Sequence, residues 1–430
     1  MIERVAVLAP EPIRARMAGM GIRALELARA LSGRFDVRLI VPNDPGEARE
    51  IAGPIRIDVR GAAPGALAEA ARGVQAAVVS GHAANGWFHE VPDLPVAADL
   101  YDPFPIENLH YARLLGPETA LHDRRTLELA LSRADVFLCA SAEQRLFYAG
   151  ALFACGRVGA GNFPDDPALA SLLVVVPFGA PPEEARGDRA AGRAAAGVLA
   201  EGPLVLFGGI YDWYDPILAI EAVAVARREL PGMTLTFTHH PNPGLTPQGK
   251  RAEAMEHVQR RGFDFVRFEP WVAYDRRGEF FDRFALALLT FPQSIETDLS
   301  MRTRVYDYLW GGLPIVTSSA PGTDEIVTRY GAGAIVHSES VTDFAREIVR
   351  AVRENEAMTA GTTTFALQHQ WSRTLQPLVD FVREPQADLT KETFAATPQL
   401  PERRPSFFRR LQRRALAFRR VTESGKWSAR

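Results

Sequence analysis

The residues best placed to do chemistry lie in "ETDLSMRTRVYDYLWGGLP", Glu296 to Pro314. The stretch follows the apolar run "FALALLTF" and leads into another, "PIVTSS", at the edge of what reads as a buried sheet. Read as a helix, it turns Met301, Val305, Tyr308, Leu309 and Gly312 to the sheet, with Ser300, Thr303, Arg304 and Asp307 on the opposite side. Arg302 falls near the helix start, a position that attracts anions and disfavours arginine unless something negative sits there. Asp307 lies about six residues further on, roughly 9 Å at 1.5 Å per residue. A phosphate at the helix start and a sugar diol at the aspartate fit that distance. The alternative is an exposed Arg304–Asp307 ion pair, three residues apart and worth little.

Two glycine-bearing loops could face the same ligand. In "FGGIYDWYDP" the pair Gly208-Gly209 ends a strand, which lets a ligand approach the backbone. Tyr211, Trp213 and Tyr214 can then stack on a sugar or base, or pack between domains. Asp215-Pro216 supplies an N-cap and a first-turn proline for the following helix. In "MAGMGIRALELA", Gly19-x-Gly21-x-x-Ala24 matches the letter of the dinucleotide fingerprint, and Asp44 follows the second strand. However, nine residues, "PEPIRARMA", separate the strand from Gly19, so a longer glycine loop lining a cleft fits better than a nicotinamide site. His82 ends the run "QAAVVSG" and is the first domain's catalytic candidate among histidines. His239-His240 is a poor metal pair, since neighbouring strand side chains point to opposite faces. With no zinc spacing, P-loop or nucleophile elbow, neither a metal nor another cofactor is expected.

These residues need a parallel sheet to position them. Short continuous apolar runs ("RVAVLA", "FDVRLIVP", "QAAVVSG", "PVAADLY", "DVFLCAS", "LLVVVPF") alternate with helical patterns and read as strands covered on both faces. The rhythm breaks at "PPEEARGDRAAGRAAAGVLAEGP", a linker with a small helix, then restarts with "LVLFGG", "MTLTFTHH", "FDFVRFE", "FALALLTF", "LPIVTSS" and "AGAIVH". The expected organisation is two doubly wound α/β domains, 1–180 and 204–364, joined by a linker over 181–203. A closing helix over 365–383 and a tail over 384–430 complete it.

The composition narrows the function. A chain of 430 residues with 47% hydrophobic residues reads as two soluble globular domains. A net charge of −3 gives no field favouring nucleic acid. Two cysteines, Cys139 and Cys155, make no disulfide framework and imply a reducing compartment. "MIERVAVLAPEP" lacks signal-peptide shape, and no apolar run nears the roughly 18 residues of a membrane span, so a cytoplasmic protein is expected. In the tail, "RRPSFFRRLQRRALAFRR" (403–420) would as a helix align Phe407, Leu411, Ala415 and Phe418 among arginines, the pattern of a peripheral contact with an anionic membrane. A disordered basic tail and a docking helix for a partner protein are the alternatives.

The stretch "ETDLSMRTRVYDYLWGGLPIVTSSAPGTDEIV" resembles the acidic loop, helix, strand and "E-(I/L)-V" of glycosyltransferase family 4. The glycine loop and "RFEPWVAYDRRGEFFDRFALALLTF" are similar to that family too, and "FGGIYDWYDP" and "HHPNP" to its bacterial polysaccharide branch. The resemblance implies the GT-B fold and retaining transfer from a nucleotide-sugar donor to a cell-surface or lipid-linked glycan. It implies that Glu296, a catalytic candidate, holds donor-sugar hydroxyls or lies beside the phosphate, that Thr297 beside it joins the donor set, and that Asp307 takes the ribose diol. Gly19 and Gly21 would close over the donor phosphates, with Gly209 and Trp213 on the donor side. The family leaves seven residues between its two glutamates, whereas ten separate Glu296 from Asp307 here. Its arginine and lysine are missing from "GGIYDWYDP", which assigns the pyrophosphate charge to Arg302 or Arg304. Tyr101-Asp102 replaces the family's His-Asp, leaving Asp102 and His82 as catalytic candidates beside Glu296. A nucleotide-sugar epimerase of the same fold and an inactive scaffold in a glycan-assembly complex are the rival readings.

Overall fold

The computed structural model describes residues 4–59, 63–182, 202–241, 246–388 and 390–391. Apolar runs without alternation must be covered on both faces, and they form two parallel sheets. The first sheet holds β1 (Arg4–Leu8), β2 (Asp36–Val41), β3 (Arg56–Val59), β4 (Ala76–Ser80), β5 (Val96–Asp99), β6 (Val136–Cys139) and β7 (Leu173–Val175) in the order β3-β2-β1-β4-β5-β6-β7. The second holds β8 (Leu204–Gly209), β9 (Thr234–Thr238), β10 (Val266–Glu269), β11 (Leu286–Leu289), β12 (Ile315–Ser318) and β13 (Gly333–Val336) in the order β10-β9-β8-β11-β12-β13. Both domains are thus Rossmann-like and face each other across a cleft. In each sheet the strand order reverses beside its first strand, so the crevices open at the ends of β1 and β8, where the two glycine loops lie. Every strand expected from the sequence forms. One more, β3, was missed: its "RIDV" alternates charge with apolar residues, as a sheet edge permits, and Arg38 pairs with its Asp58 at 3.0 Å. Cys139 lies in the core of β6, where burial pushes its thiol up to about 12.

Two helices differ from expectation. The 296–312 stretch is broken into Ile295–Leu299 and Thr303–Trp310, with Ser300 and Arg302 in extended conformation between them. The closing helix is three pieces, Asn355–Gln368, Trp371–Thr374 and Gln376–Arg383. The first break comes where the chain pairs with the end of the first domain instead of with itself. Ala180 N–H donates to the His369 carbonyl at 2.7 Å, and Trp371 N–H donates to the Ala180 carbonyl at 3.1 Å. Beyond this crossing the chain packs on the first domain: Phe178 and Trp371 rings lie 4.8 Å apart, and Arg157 bonds Asp388 at 2.5 Å. The linker helix and the basic stretch 403–420 lie outside the described residues. Among those described, no helix is long and apolar enough to cross a membrane.

A buried ion pair anchors the helix that carries the glycine loop (Gly19–Ser32). Arg23 meets Asp99, at the end of β5, through two bonds of 2.6 and 2.9 Å, and donates to the carbonyls of Val176 and Pro177. Both side chains are buried, and the guanidinium stacks 4.3 Å from the Tyr101 ring. Removing one partner strands the other charge in the core. We expect Arg23→Ala to cost about 3–5 kcal/mol, read as a lowered urea midpoint.

Candidate functional site

The site is built where two helices start. The Thr303–Trp310 helix docks on the end of β8: the Tyr308 hydroxyl donates to the Phe207 carbonyl at 2.8 Å and Arg304 Nη1 to the same carbonyl at 3.1 Å. Gly208 makes this possible. Its φ is +84°, and a Cβ there would overlap the Tyr308 hydroxyl. Across the cleft the glycine-loop helix begins at Gly19, where a Cβ would come within 2.9 Å of Thr303 Cγ2. Two helix N-termini, one from each domain, therefore meet. At neither start does the cap residue's own side chain take a first-turn N–H, although the Glu11 carboxylate lies against that of Gly21.

They open into a cavity of about 330 Å³, the size of a small-ligand site. Of the residues singled out from the sequence, Gly19, Asp102, Gly209, Trp213, Arg302, Arg304 and Asp307 line it. Trp213 stacks on Tyr211 at 4.8 Å and meets Tyr111 of the first domain edge-on at 6.0 Å, so it both lines the cleft and packs across it.

The three arginines of the cleft differ in what they face. Arg302 and Glu296 form a two-pronged bond of 2.5 and 2.7 Å, with both side chains buried. Ser300 Oγ donates to the same carboxylate at 2.7 Å. Burial opposes the charge on Arg302, but Tyr214 and Glu296 outweigh it and raise its pKa. Arg277, not singled out from the sequence, pairs with Asp307 at 3.3 Å and stacks on the Tyr274 and Trp310 rings at 3.7 and 4.6 Å. The alternative Arg304–Asp307 pair does not form. Arg304 has no carboxylate partner among the described residues and stacks on Tyr214 at 4.3 Å. Burial raises the Asp307 pKa, and Arg277 pulls it down.

Other expected residues stand elsewhere. Glu296 lies behind Arg302, off the cleft wall, because the chain folds back between the two short helices. Thr297 is turned into its own loop, donating to the Pro292 carbonyl at 2.8 Å. Gly21 faces the loop before it, with the Pro12 carbonyl 3.4 Å from where a Cβ would be. His82 lines an adjoining chamber, walled mostly by the first domain and closed by Thr246 and Pro247 of the second, instead of the main cleft. There its Nε2 lies 2.6 Å from buried Asp123, which also accepts from Asn108 at 2.8 Å. Asp102 is raised well above the usual carboxylate range by burial and by a neighbouring carboxyl, Glu107, to which it is hydrogen-bonded. Glu107 is raised too, by burial and by Glu296. Among the described residues, no group of three or more His, Cys, Asp or Glu side chains is arranged to hold a metal ion.

No protein-family model and no curated protein matches the chain. Solved structures do share its architecture. HepE from Anabaena, in complex with UDP-glucose, superposes with a TM-score of 0.65 at 16% identity, over 88% of this chain and 99% of HepE. The chain has the GT-B fold. Sucrose-phosphate synthase from Thermosynechococcus elongatus gives 0.59 at 16% identity, over 89% of this chain and 98% of that one. WaaG, a glycosyltransferase involved in lipopolysaccharide biosynthesis, gives 0.55 at 14%, over 88% and 100%.

The arginines should separate in a stability measurement. We expect Arg302→Ala to cost about 3–5 kcal/mol, because it leaves Glu296 buried without its partner. Arg304→Ala should cost about 1 kcal/mol, since the Phe207 carbonyl keeps the Tyr308 hydroxyl. Urea unfolding of the two variants checks the order.

Proposed function

We propose that the protein is a glycosyltransferase moving a sugar from a nucleoside-diphosphate sugar to a hydroxyl of a cell-surface glycan or its lipid-linked precursor. The observation that carries this reading is the meeting of two uncapped helix starts beside Arg304, at the mouth of a GT-B cleft. Diphosphate is already a good leaving group, so the protein's task is to stabilise the negative charge that grows on it. Helix N-termini and a cation with no carboxylate partner among the described residues supply that as fixed electrostatics. Asp307, just over one turn along the Thr303–Trp310 helix, is the acceptor for the ribose diol. Closing of the cleft on the donor would exclude water. The complex of HepE with UDP-glucose and the involvement of WaaG in lipopolysaccharide biosynthesis support the donor and acceptor classes. The resemblance to family 4 adds retention of the anomeric configuration, which proton NMR of the product checks.

A thermal-shift series with UDP, GDP, ADP and their sugars tests the donor site. A ligand at about 100 times its Kd adds roughly 2.7 kcal/mol. Arg304→Ala should weaken binding by about 1.5–3 kcal/mol, and Asp307→Ala should weaken it with a native melting curve. A melting temperature that no nucleotide moves would sink the proposal. Sugar isomerisation without an acceptor would favour the epimerase, and donor binding without turnover the scaffold.

We also propose that residues 403–420 hold the enzyme reversibly at the cytoplasmic membrane face, on the strength of their arginine-rich amphipathic pattern. Each basic residue near such a surface adds about 1 kcal/mol. The full chain should co-sediment with anionic liposomes at low salt, and a chain ending at Glu402 should not. Equal sedimentation of the two would refute the contact.

A further inference from the structure

The helix Ala142–Ala154 buries Gln144, Tyr148 and Leu152 against the first sheet. The opposite side of such a helix faces water and is ordinarily charged. Here Ala142, Leu146, Ala149, Gly150 and Phe153 fall on that side, and none carries a charge. Leu146 is 73% exposed and Phe153 70%, more than any other large apolar side chain among the described residues. Charge stands at the borders of this stripe. Glu143 lies on one side, while Arg145 on the other is turned to the carbonyls of Ala168 and Leu173. Glu128 stands beside Cys155 at the helix end, and Asp165 is exposed in the following turn, two residues past the exposed Phe163. The borders are therefore acidic.

The C-terminal segment reaches the same end of the helix. Arg157, two residues past the helix cap Cys155, donates to Asp388 at 2.5 Å and to Thr390 Oγ1 at 3.0 Å, and Lys391 meets Asp135 at 2.5 Å. The sequence then runs on to 403–420, where Phe407, Leu411, Ala415 and Phe418 are set among arginines with no acid. Ala142 to Phe153 and Phe407 to Phe418 are equal steps along a helix, each about 17 Å at 1.5 Å per residue. The chain between Lys391 and Phe407 can span up to about 50 Å, enough to lay one stripe along the other. We propose that the apolar stripe of the Ala142–Ala154 helix is the docking site of this chain's own segment 403–420, apolar side down and arginines at the acidic borders. An anionic membrane is a poorer occupant, because those borders repel it, and in a second copy of the chain like charges would meet. The docked and the membrane-held segment use the same side chains and exclude each other. The docking therefore competes with the membrane contact proposed above and does not depend on it.

The test is limited trypsin cleavage of the full chain without lipid, following by mass the cuts at the arginines of 403–420. A docked segment is cut only while it is open, so the rate follows the open population. Leu146→Asp with Phe153→Asp should speed these cuts by about tenfold or more and leave the melting curve unchanged, because both side chains are exposed. Phe407→Asp with Leu411→Asp alters only the segment and should do the same, which decides the matter should the first variant not fold. Cuts no faster in the segment variant than in the wild type overturn the docking. Light scattering guards against the other occupant: a wild-type dimer that Leu146→Asp with Phe153→Asp splits into monomers gives the stripe to a second copy and refutes the assignment. Faster cuts in both variants, with no sedimentation of the wild type on anionic liposomes, would retire the membrane contact and leave the docking standing. Sedimentation with unchanged cuts would do the reverse.

Discussion

The fork between Arg302 and Glu296 holds a cation at a helix start, where the macrodipole alone would repel it, and keeps both charges out of water at a cost that only close pairing offsets. To make it, the chain must turn back on itself between Leu299 and Thr303. That turn frees carbonyls that a continuous helix would have used, and the first domain satisfies them. Gln144 donates to the Leu299 carbonyl at 2.8 Å, and the Tyr101 hydroxyl to the Met301 carbonyl at 2.7 Å. The kink that buries the fork therefore also joins the two domains at the cleft. Glu296 consequently acts through Arg302 and through the shape of the loop.

Charge in the cleft is sorted by pairing. Arg302 is balanced by Glu296 and Arg277 by Asp307, while Arg304 keeps its charge against tyrosine rings and one carbonyl. On the acidic side, burial favours the neutral forms of Asp102 and Glu107, so these carboxyls oppose an incoming anion less than their number suggests. The result is a locally anion-friendly cleft in a chain whose net charge is −3. A second polar line runs from Asp307 through Arg277 and Tyr274 to Glu26 of the glycine-loop helix, whose carboxylate accepts from the Tyr274 hydroxyl at 2.7 Å. Asp307 is thereby tied to the domain across the cleft.

The doubly wound fold was legible because buried parallel strands are written as unbroken apolar runs, and every such run became a strand. The edge strand β3 was not, because "RIDV" carries charge on alternate residues. Long helices were over-read at Ser300 and at His369, where hydrogen bonds to distant residues interrupt a sequence whose local pattern is helical. Arg304 and Asp307 were singled out by their spacing, which also fitted an ion pair between them, but Asp307 pairs instead with Arg277, thirty residues away. Glu11, which lines the cleft against the start of the glycine-loop helix, carried no motif at all: it sits between two prolines, and its surroundings exist only once that helix has packed beside it.

The pairing of Ala180 with His369 and Trp371 has a mechanical consequence. The chain passes between domains at two places, and the second crossing is bonded to the end of the first domain at Ala180. Two separate tethers would restrict the domains to sliding or twisting, whereas adjacent ones leave a single pivot. Displacement then grows with distance from that pivot, so a small rotation at the crossing becomes a wide gape at the far lip. Such a lever would open the cleft without any strand parting from its sheet, once the hydrogen bonds across it give way.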